Sequence, residues 1–371
     1  MKQDDYLILK TMMKKNSWTK NKKGVDEYGQ LMAGWLKELN MDLQCFQRSE
    51  IGNHLLFTSS HEDHSPTLLL LGHLDTVFPP NTFEEVSEDE EWLYGPGACD
   101  MKGGNFVALM ALRNIYETLG QVQNIDVLLV SDEETGSDDS KSLLRTIAPN
   151  YSACIDFEAA GKNHEVVTAR KGIATYTINI KGKAAHAGNH FCDSADANLV
   201  AAKLLIQLAE QTDLENGTTI NIGKINGGIG ANTISPHATL TVEARFTSLN
   251  EQKRIIDVIP QLVNHYNKNG ITLFIDGGLQ RDVMMPTSDQ AALIDKLSSI
   301  IGIPLKTEKR GGVSDANIIA GMGVPTLDGF GPYGDGDGDG DHTKHERVSK
   351  KSIERRISEV TKVLEYYASQ V

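Results

Sequence analysis

The chain has 371 residues, 40% of them hydrophobic, which is long enough for two domains or one large one. Its 36 basic and 50 acidic side chains give a net charge of -14, which repels nucleic-acid phosphates and anionic membrane surfaces. No stretch approaches the roughly 20 apolar residues of a membrane-spanning helix. From the net charge and the lack of such a stretch, we expect neither nucleic acid nor a membrane as a partner.

The N-terminus and the cysteines favour a cytoplasmic protein. Acidic residues at positions 4 and 5, without a long apolar core after them, do not fit a signal peptide. The four cysteines lie far apart and none belongs to a CxxC pair, which argues against a zinc knuckle and a dense disulfide framework. A reducing compartment is therefore the expected location.

The first half of the chain has the pattern of an α/β domain. Apolar residues at helical spacing predict an amphipathic helix over 25–39. Short apolar runs at 67–71, 125–130 and 153–157 are typical of strands buried on both faces, and a predicted helix over 105–119 connects the first two. The order strand, helix, strand predicts a largely parallel sheet.

The pattern changes near Arg170. Polar and apolar residues alternate over 174–182, 218–225 and 238–246, as in antiparallel strands with one solvent-exposed face. The other elements predicted after this point are helices near 196–210, 250–267, 289–301, 314–320 and 350–367, and a strand-like segment over 323–330. We therefore predict a mainly parallel-sheet domain, residues 1–169 and 283–371, interrupted by an inserted α+β domain, residues 170–282.

Polar side chains follow each of the three buried strands. His73 and Asp75 come after the first strand, three consecutive acids at 132–134 after the second, and Glu158 after the third. Because ligands bind outside the carboxyl ends of the strands in an open parallel sheet, we expect these side chains to meet at one edge. A further acid, Asp100, lies in a glycine-rich turn that leads into the connecting helix.

This set of residue types suits a metal. An imidazole with several carboxylates and no cysteine fits zinc, cobalt or manganese. Each residue alone also has a structural interpretation, since an isolated His73 is typical of a capped turn and the acids at 132–134 of a solvated loop. Together they favour a metal site, because three adjacent acids after a buried strand repel one another and require water or a cation.

The backbone at two strand ends decides between neighbouring acids. Glu133 and Glu134 can have different partners only if the chain there has left the regular strand, because neighbouring strand side chains point to opposite faces. Asp156 and Glu158 would share a face in a regular strand, so both are candidate ligands.

Seven segments stand out in order over nearly the whole chain: GHLDTV (72–77), GPGACDMKGGN (95–105), DEETGS (132–137), DFEAA (156–160), GKAAHAG (182–188), RGGVSDAN (310–317) and DHTKHERV (341–348). Together they resemble the motifs of the glutamate carboxypeptidase family of di-zinc exopeptidases. That family also includes acetylornithine deacetylase and succinyl-diaminopimelate desuccinylase. A single HxD motif is a weak signal, but seven motifs in register are specific.

The resemblance implies a parallel-sheet catalytic domain of the zinc-exopeptidase type, an inserted dimerisation or lid domain, and two zinc ions, for which cobalt or manganese could substitute. Asp100 would bridge the two metals. His73 and Glu158, which matches the family position better than Asp156, would complete one metal site. The other would be completed by Glu134 and His342.

The resemblance also implies catalytic and substrate-binding roles. Asp75 would orient the ligating imidazole, and Glu133 would be the general base that takes a proton from the metal-bridging water. His186, in the inserted domain, would support the developing oxyanion in the partner subunit's site. Arg245 suits a free carboxylate. The candidate substrate-binding residues are Asn232, Arg245, Arg281, Gly311, Gly312 and Ser314.

The acidic segment GDGDGDGD, residues 334–341, departs from the family pattern. With Glu346 it matches the calcium-loop pattern D-x-D-x-D-G-x5-E, but residues 325–333 are rich in glycine and proline and do not fit the entering helix of an EF-hand. We therefore expect an acidic loop, with an incidental calcium site as the alternative. His345 is the alternative ligand to His342, which we prefer because Glu346 follows it by four residues, as in the family.

The predicted function is metal-dependent hydrolysis of the amide bond of a C-terminal, glutamate-like amino acid by a cytoplasmic homodimer. The alternatives are an N-acyl amino-acid deacylase of the same family and a catalytically silent metal-binding homologue. The presence of Glu133 and of every predicted ligand weighs against the silent homologue. The expected partners are a peptide or N-acyl amino-acid substrate and a second copy of the chain.

Overall fold

The computed structural model describes residues 3–62, 65–334 and 342–370. Four residues of the calcium-loop pattern, Asp335, Asp337, Asp339 and Gly340, lie outside the described residues, as does Asp341. None of the described helices is long and apolar enough to cross a bilayer. The chain forms two compact units, the first made of Met1–Ala169, Pro286–Arg310 and Ser314–Val371 and the second of Arg170–Met285 and Gly311–Val313.

The first unit begins with four helices and eight strands. The helices are α1 (Gln3–Met13), α2 (Lys22–Lys37), α3 (Lys102–Leu119) and α4 (Ser140–Ile147). The strands are β1 (Asp42–Phe46), β2 (His54–Thr58), β3 (Leu68–His73), β4 (Ser87–Glu88), β5 (Trp92–Tyr94), β6 (Ile125–Val130), β7 (Ala153–Asp156) and β8 (Val166–Arg170). Short 3₁₀ helices cover Glu133–Thr135 and Ala148–Asn150.

The second unit and the return to the first unit complete the chain. The second unit contains β9 (Gly172–Lys181), a 3₁₀ helix (Phe191–Asp193), α5 (Ala197–Ala209), β10 (Thr219–Gly227), β11 (His237–Phe246), α6 (Leu249–His265) and β12 (Thr272–Arg281). The first unit resumes with α7 (Ser288–Ile301), β13 (Thr307–Arg310), α8 (Ala316–Gly321), β14 (Thr326–Leu327), β15 (Arg347–Ser349) and α9 (Lys350–Ala368).

A six-stranded sheet organises the first unit. Its order is β1-β2-β6-β3-β7-β14, and β3 pairs in parallel with both β6 and β7. The run Leu68–Leu71 is fully buried because its side chains alternate between two apolar layers: Leu68 and Leu70 pack in the same cluster as residues of α3 and α9, and Leu69 and Leu71 in the same cluster as residues of α4 and α8. Each buried leucine contributes about 1.5–3 kcal/mol. The predicted mainly parallel α/β sheet is confirmed.

The second unit is built on an antiparallel sheet of order β10-β11-β9-β12. Alternate residues such as Ile178, Leu240 and Val242 are buried in one cluster with apolar residues of α5 and α6. The sequence analysis did not predict β12, in which Gly277 and Gly278 interrupt the alternating pattern. Helix α1 was also not predicted.

Candidate active site

Three strand ends place side chains at one edge of the first unit's sheet. His73 is the last residue of β3, the Glu133–Thr135 3₁₀ helix follows β6 after two residues, and Glu158 follows β7 after one residue. Since β3 lies between β6 and β7 and is parallel to both, these ends are neighbours. The chain has left the regular strand at Glu133, which allows Glu133 and Glu134 to have different partners.

Close packing of α3 brings the Asp100 turn to the same edge. A Cβ atom at Gly104, in the first turn of α3, would lie 1.9 Å from the Phe157 carbonyl oxygen just after β7, so only glycine allows this approach. Asp100 lies two residues before α3, and the Asp100–Met101 peptide bond is cis. The turn and the strand ends thus converge.

The two carboxylate oxygens of Asp100 face two different histidines. Its Oδ1 lies 3.0 Å from His73 Nε2, and its Oδ2 lies 3.1 Å from His342 Nε2. A second acid accompanies each imidazole, since Glu158 Oε1 lies 3.6 Å from His73 Nε2 and Glu134 Oε2 lies 3.2 Å from His342 Nε2. The five residues therefore form two histidine–carboxylate pairs that share Asp100.

Glu133 lies within the same cluster. Potential ligand atoms of His73, Asp100 and Glu134 all lie within 4.8 Å of one another, and so do those of His73, Glu133 and Glu158. In the described part of the chain these are the groups in which three such side chains converge. The Glu133 carboxylate is thus next to the predicted ligands.

The surroundings of Asp156 distinguish it from Glu158. Asp156 Oδ2 accepts a hydrogen bond of 3.1 Å from the backbone N–H of Ala316, the first residue of α8. Glu158 instead points toward His73, at the distance given above. The geometry therefore favours Glu158 over Asp156 as the candidate metal ligand.

Asp75 links the imidazole of His73 to the segment that carries both glutamates. His73 Nδ1 lies 3.0 Å from the Asp75 carbonyl oxygen and 3.4 Å from its carboxylate. That carboxylate accepts hydrogen bonds from the Thr19 hydroxyl at 2.8 Å and from the backbone N–H groups of Glu133 and Glu134 at 3.3 and 3.2 Å. Asp75 thus orients the His73 imidazole through Nδ1 and also holds the backbone of Glu133 and Glu134 in place.

The electrostatics of the cluster favour positive charge. Burial and then the charge of Asp100 raise the pKa of both Glu134 and Glu158 well above the ordinary value. Burial alone would lower the pKa of His73, but hydrogen bonds to Asp100 and Asp75 raise it well above its ordinary value. Crowded carboxylates that stabilise protons on neighbouring imidazoles are an environment suited to cations.

Glu346 is a residue whose role at this site the sequence analysis missed. Its buried carboxylate accepts hydrogen bonds from the backbone N–H groups of Gly97, Cys99 and Asp100 at 2.9, 2.9 and 3.0 Å. Burial and the charge of Asp100 raise the pKa of Glu346 to about 7. Its spacing from His342 was the available signal, but only the folded chain shows that Glu346 anchors the Asp100 turn.

We expect Glu346→Gln to weaken metal binding by about 10- to 100-fold, a typical effect of losing an outer-sphere contact. Both carboxylate oxygens of Glu346 accept hydrogen bonds from backbone N–H groups of the turn. A glutamine would replace one of these acceptors with an N–H₂ group, which cannot accept a hydrogen bond. The Asp100 turn would therefore be held less firmly. Competition with a chelator of known affinity measures the change. Glu117→Gln on the exposed side of α3 is the matched control, and equal affinities of the two variants would contradict the anchoring role.

The structure favours His342 over His345 as the histidine of the cluster. The His342 side chain is 55% exposed, and its backbone has a φ of 60°, in the left-handed region where histidine is enriched among non-glycine residues. In the described ranges no ion pair joins His345 to these carboxylates, whereas His342 contacts both Asp100 and Glu134.

His186 and Asn232 lie together in the second unit. His186 Nδ1 accepts hydrogen bonds of 3.2 Å from the backbone N–H groups of Gly188 and Asn189. The neighbouring Ala187 N–H donates to the Asn232 carbonyl oxygen at 3.0 Å. These contacts leave the ring proton of a neutral His186 on Nε2, so the exposed imidazole presents a hydrogen-bond donor.

The other predicted substrate-binding residues divide between the two units. In the second unit, Arg245 donates to the Glu243 carboxylate at 2.7 Å and to the Gly311 carbonyl at 3.1 Å. Gly312 accepts from Arg170 at 3.1 Å, and Arg281 is buried. Ser314 belongs to the first unit, where it is buried and its hydroxyl donates to Asp328 at 2.7 Å.

Comparison with known proteins identifies the family. The model of Peptidase family M20/M25/M40 matches residues 69–366. The chain belongs to this family. The family resemblance predicted from the seven motifs is confirmed, and the protein is a hydrolase of the metallopeptidase and amidohydrolase type.

Individual M20 relatives include peptidases and a deacylase. Carboxypeptidase G2 from Pseudomonas sp. is 27% identical over 78% of this chain and 71% of its own length. Succinyl-diaminopimelate desuccinylase from Xanthomonas oryzae is 24% identical over 86% of this chain and 88% of its own length. The crystal structure of a tripeptidase from Staphylococcus aureus has a TM-score of 0.79, with 22% identity and 99% of both chains covered, and shows the same fold.

Proposed function

We propose that this protein is a metal-dependent exopeptidase that hydrolyses the amide bond of a C-terminal, glutamate-like amino acid. The single observation that carries the proposal is the arrangement of Asp100 between two histidine–carboxylate pairs, with the Glu133 carboxylate beside them. The relationship to carboxypeptidase G2 supports cleavage at the C-terminal residue of a peptide.

The donor set fits two divalent ions. His73, Glu158 and Asp100 would hold one ion, and His342, Glu134 and Asp100 the other. Nitrogen and carboxylate donors without sulfur suit zinc, with cobalt or manganese as substitutes. When bound, such ions lower the pKa of a coordinated water toward about 7 and polarise the carbonyl of the substrate.

Side chains of the protein carry out proton transfer and stabilise the developing charge. Glu133 takes a proton from the attacking water and returns it to the nitrogen of the leaving amino acid. Asp75 holds His73 and the backbone of Glu133 in place through the contacts described above. His186 of the partner subunit donates from Nε2 to the oxyanion that develops on the substrate carbonyl.

Recognition of the C-terminal carboxylate falls to the second unit. Arg245 offers a guanidinium whose fork geometry matches a carboxylate, and its contacts with Glu243 and Gly311 orient it. Asn232 would add a side-chain amide, with Arg281, Gly311 and Gly312 as further contributors. In the first unit, Ser314 would position the neighbouring loop rather than bind the substrate itself, because its hydroxyl donates to Asp328 and its backbone N–H donates to the Asn317 side chain at 3.0 Å.

We further propose that the second unit mediates a homodimer. β10 is an edge strand, and large apolar side chains on and near it and on α5 are exposed. Leu199 and Ile206 are 52% and 57% exposed, and Ile225 and Ile229 are 52% and 64% exposed. An apolar surface beside an unpaired strand edge is suited to a second copy of the chain.

We place the enzyme in the cytoplasm. All four cysteines are free thiols, and Cys45 and Cys192 are exposed. Exposed thiols fit a reducing compartment.

The substrate class is testable with the zinc-loaded protein. We expect release of C-terminal glutamate from dipeptides or folate-like conjugates, together with about two metal ions per chain by elemental analysis. Release of acetate or succinate from N-acyl amino acids, without glutamate release, would instead assign the deacylase function that the relationship to succinyl-diaminopimelate desuccinylase favours. Metal binding with no turnover on either panel would indicate the silent homologue.

A further inference from the structure

A cleft of about 420 Å³ lies in the first unit beside the segment that follows His342. One wall is formed by residues 344–347, which follow His342 and lead into β15, and the other by residues 83–87 and by Tyr94 of β5. Its lining includes Phe83, Glu85, Tyr94, Lys344, His345 and Arg347. None of them belongs to the proposed metal site.

The lining of this cleft is basic in a strongly acidic protein. Its lining contains Lys344, His345 and Arg347 and one carboxylate, that of Glu85, although the whole chain carries a net charge of -14. A second carboxylate, that of Asp89, accepts a hydrogen bond of 2.7 Å from the Tyr94 hydroxyl beside the cleft. Lys344 and His345 are exposed, and within the described ranges their side chains have neither an ion-pair nor a hydrogen-bond partner. The Arg347 guanidinium is held in place by stacking on Trp92, 4.1 Å from the ring centroid. Such a lining selects an anion.

The residues that line the cleft are close in the chain and in strand register to the residues of the metal cluster. His345 follows His342 by three residues, so their Cα atoms are at most about 11 Å apart. Arg347 pairs in register with Tyr94, which directly precedes the turn that carries Asp100. Glu346, between His345 and Arg347, anchors that turn. A ligand at the metal cluster could therefore reach the cleft with two or three further residues of extended peptide.

We propose that this cleft binds a carboxylate of the peptide substrate, located two or three residues before the C-terminal amino acid, and that the enzyme therefore prefers acidic peptides. The inference rests on the proposed exopeptidase function. Lys344 and Arg347 pair with the carboxylate, His345 donates a hydrogen bond, and the rings of Phe83 and Tyr94 pack against the methylene groups of the acidic side chain.

Matched peptides test this preference. The probes are acetyl-Glu-Ala-Ala-Glu against acetyl-Gln-Ala-Ala-Glu, and acetyl-Ala-Glu-Ala-Glu against acetyl-Ala-Gln-Ala-Glu. We expect the zinc-loaded enzyme to have a kcat/KM about 3- to 10-fold higher for the acidic member of at least one pair, as partly exposed charge pairs allow. The ratio should fall toward one in Lys344→Gln and in high salt, and stay unchanged in Lys37→Gln, an exposed lysine at the end of α2.

Binding to Glu133→Gln, measured by calorimetry with the same peptides, separates this inference from the proposed function. Tighter binding of an acidic peptide that depends on Lys344, with no hydrolysis by the unaltered enzyme, would keep the cleft assignment and overturn the function. Hydrolysis of both members of each pair at equal kcat/KM would overturn the cleft assignment alone. Binding of free glutarate that depends on Lys344 but leaves peptide hydrolysis unaffected would assign the cleft to a separate effector and also overturn its substrate role.

Discussion

Glu133→Gln is expected to lower kcat by about 10²- to 10⁴-fold while the protein retains its metal ions. The glutamine side chain keeps the size of the glutamate but cannot accept a proton from water. Each predicted metal position retains a histidine, the shared Asp100 and a second acid without Glu133, so metal affinity should change little. Steady-state kinetics and elemental analysis on the same zinc-loaded sample measure both effects.

The two adjacent glutamates have to be distinguished in this experiment. Glu117→Gln on α3 controls for the loss of one negative charge and should behave as the unaltered protein. If Glu133→Gln loses its metal and Glu134→Gln retains it, Glu133 is a ligand and the assignment of the pair is inverted. The two variants can give different results because the two glutamates have different neighbours. Glu133 lies near His73 and Glu158, whereas Glu134 contacts His342.

Asp100→Ala is expected to remove both metal ions and all measurable hydrolysis. Each carboxylate oxygen of Asp100 faces a different histidine, so its truncation takes a ligand from both positions at once. Zinc should raise the melting temperature of the unaltered protein, since a ligand that binds only the folded state stabilises it, but not that of Asp100→Ala. Asp42→Ala, in the exposed strand β1, is the control, and retention of one tightly bound ion by Asp100→Ala would show that the two positions do not share this carboxylate.

The Asp100→Ala variant also tests the role of His186 across the dimer. His186→Ala should be nearly inactive with normal metal content. In an equal mixture of the two variants, each heterodimer contains one complete site, so random exchange should restore about a quarter of the sites. Heterodimers demonstrated by mass spectrometry but without recovered activity would exclude the cross-subunit role.

The sequence alone determined the fold class and the residue types at the site. Leu68–Leu71 is a continuous apolar run and Ile125–Val130 is apolar except at Asp126, and short runs of this kind are typical of strands covered on both faces. Their carboxyl ends then had to lie at one edge, which placed His73 and the acids after β6 and β7 together before any distance was known. This inference needs only the period of a strand and the parallel pairing, both of which are local or topological properties.

The tertiary structure alone decided which acid has which partner. Asp156 binds the first backbone N–H of α8, 160 residues away, and Glu346 binds the Asp100 turn across 246 residues. Helix α1, strand β12 and the basic cleft beside His342 were also visible only in the fold. The physical reason is that irregular turns have no side-chain period, so the direction of a carboxylate there is set by hydrogen-bond donors that are distant in sequence and meet it only after the chain has packed.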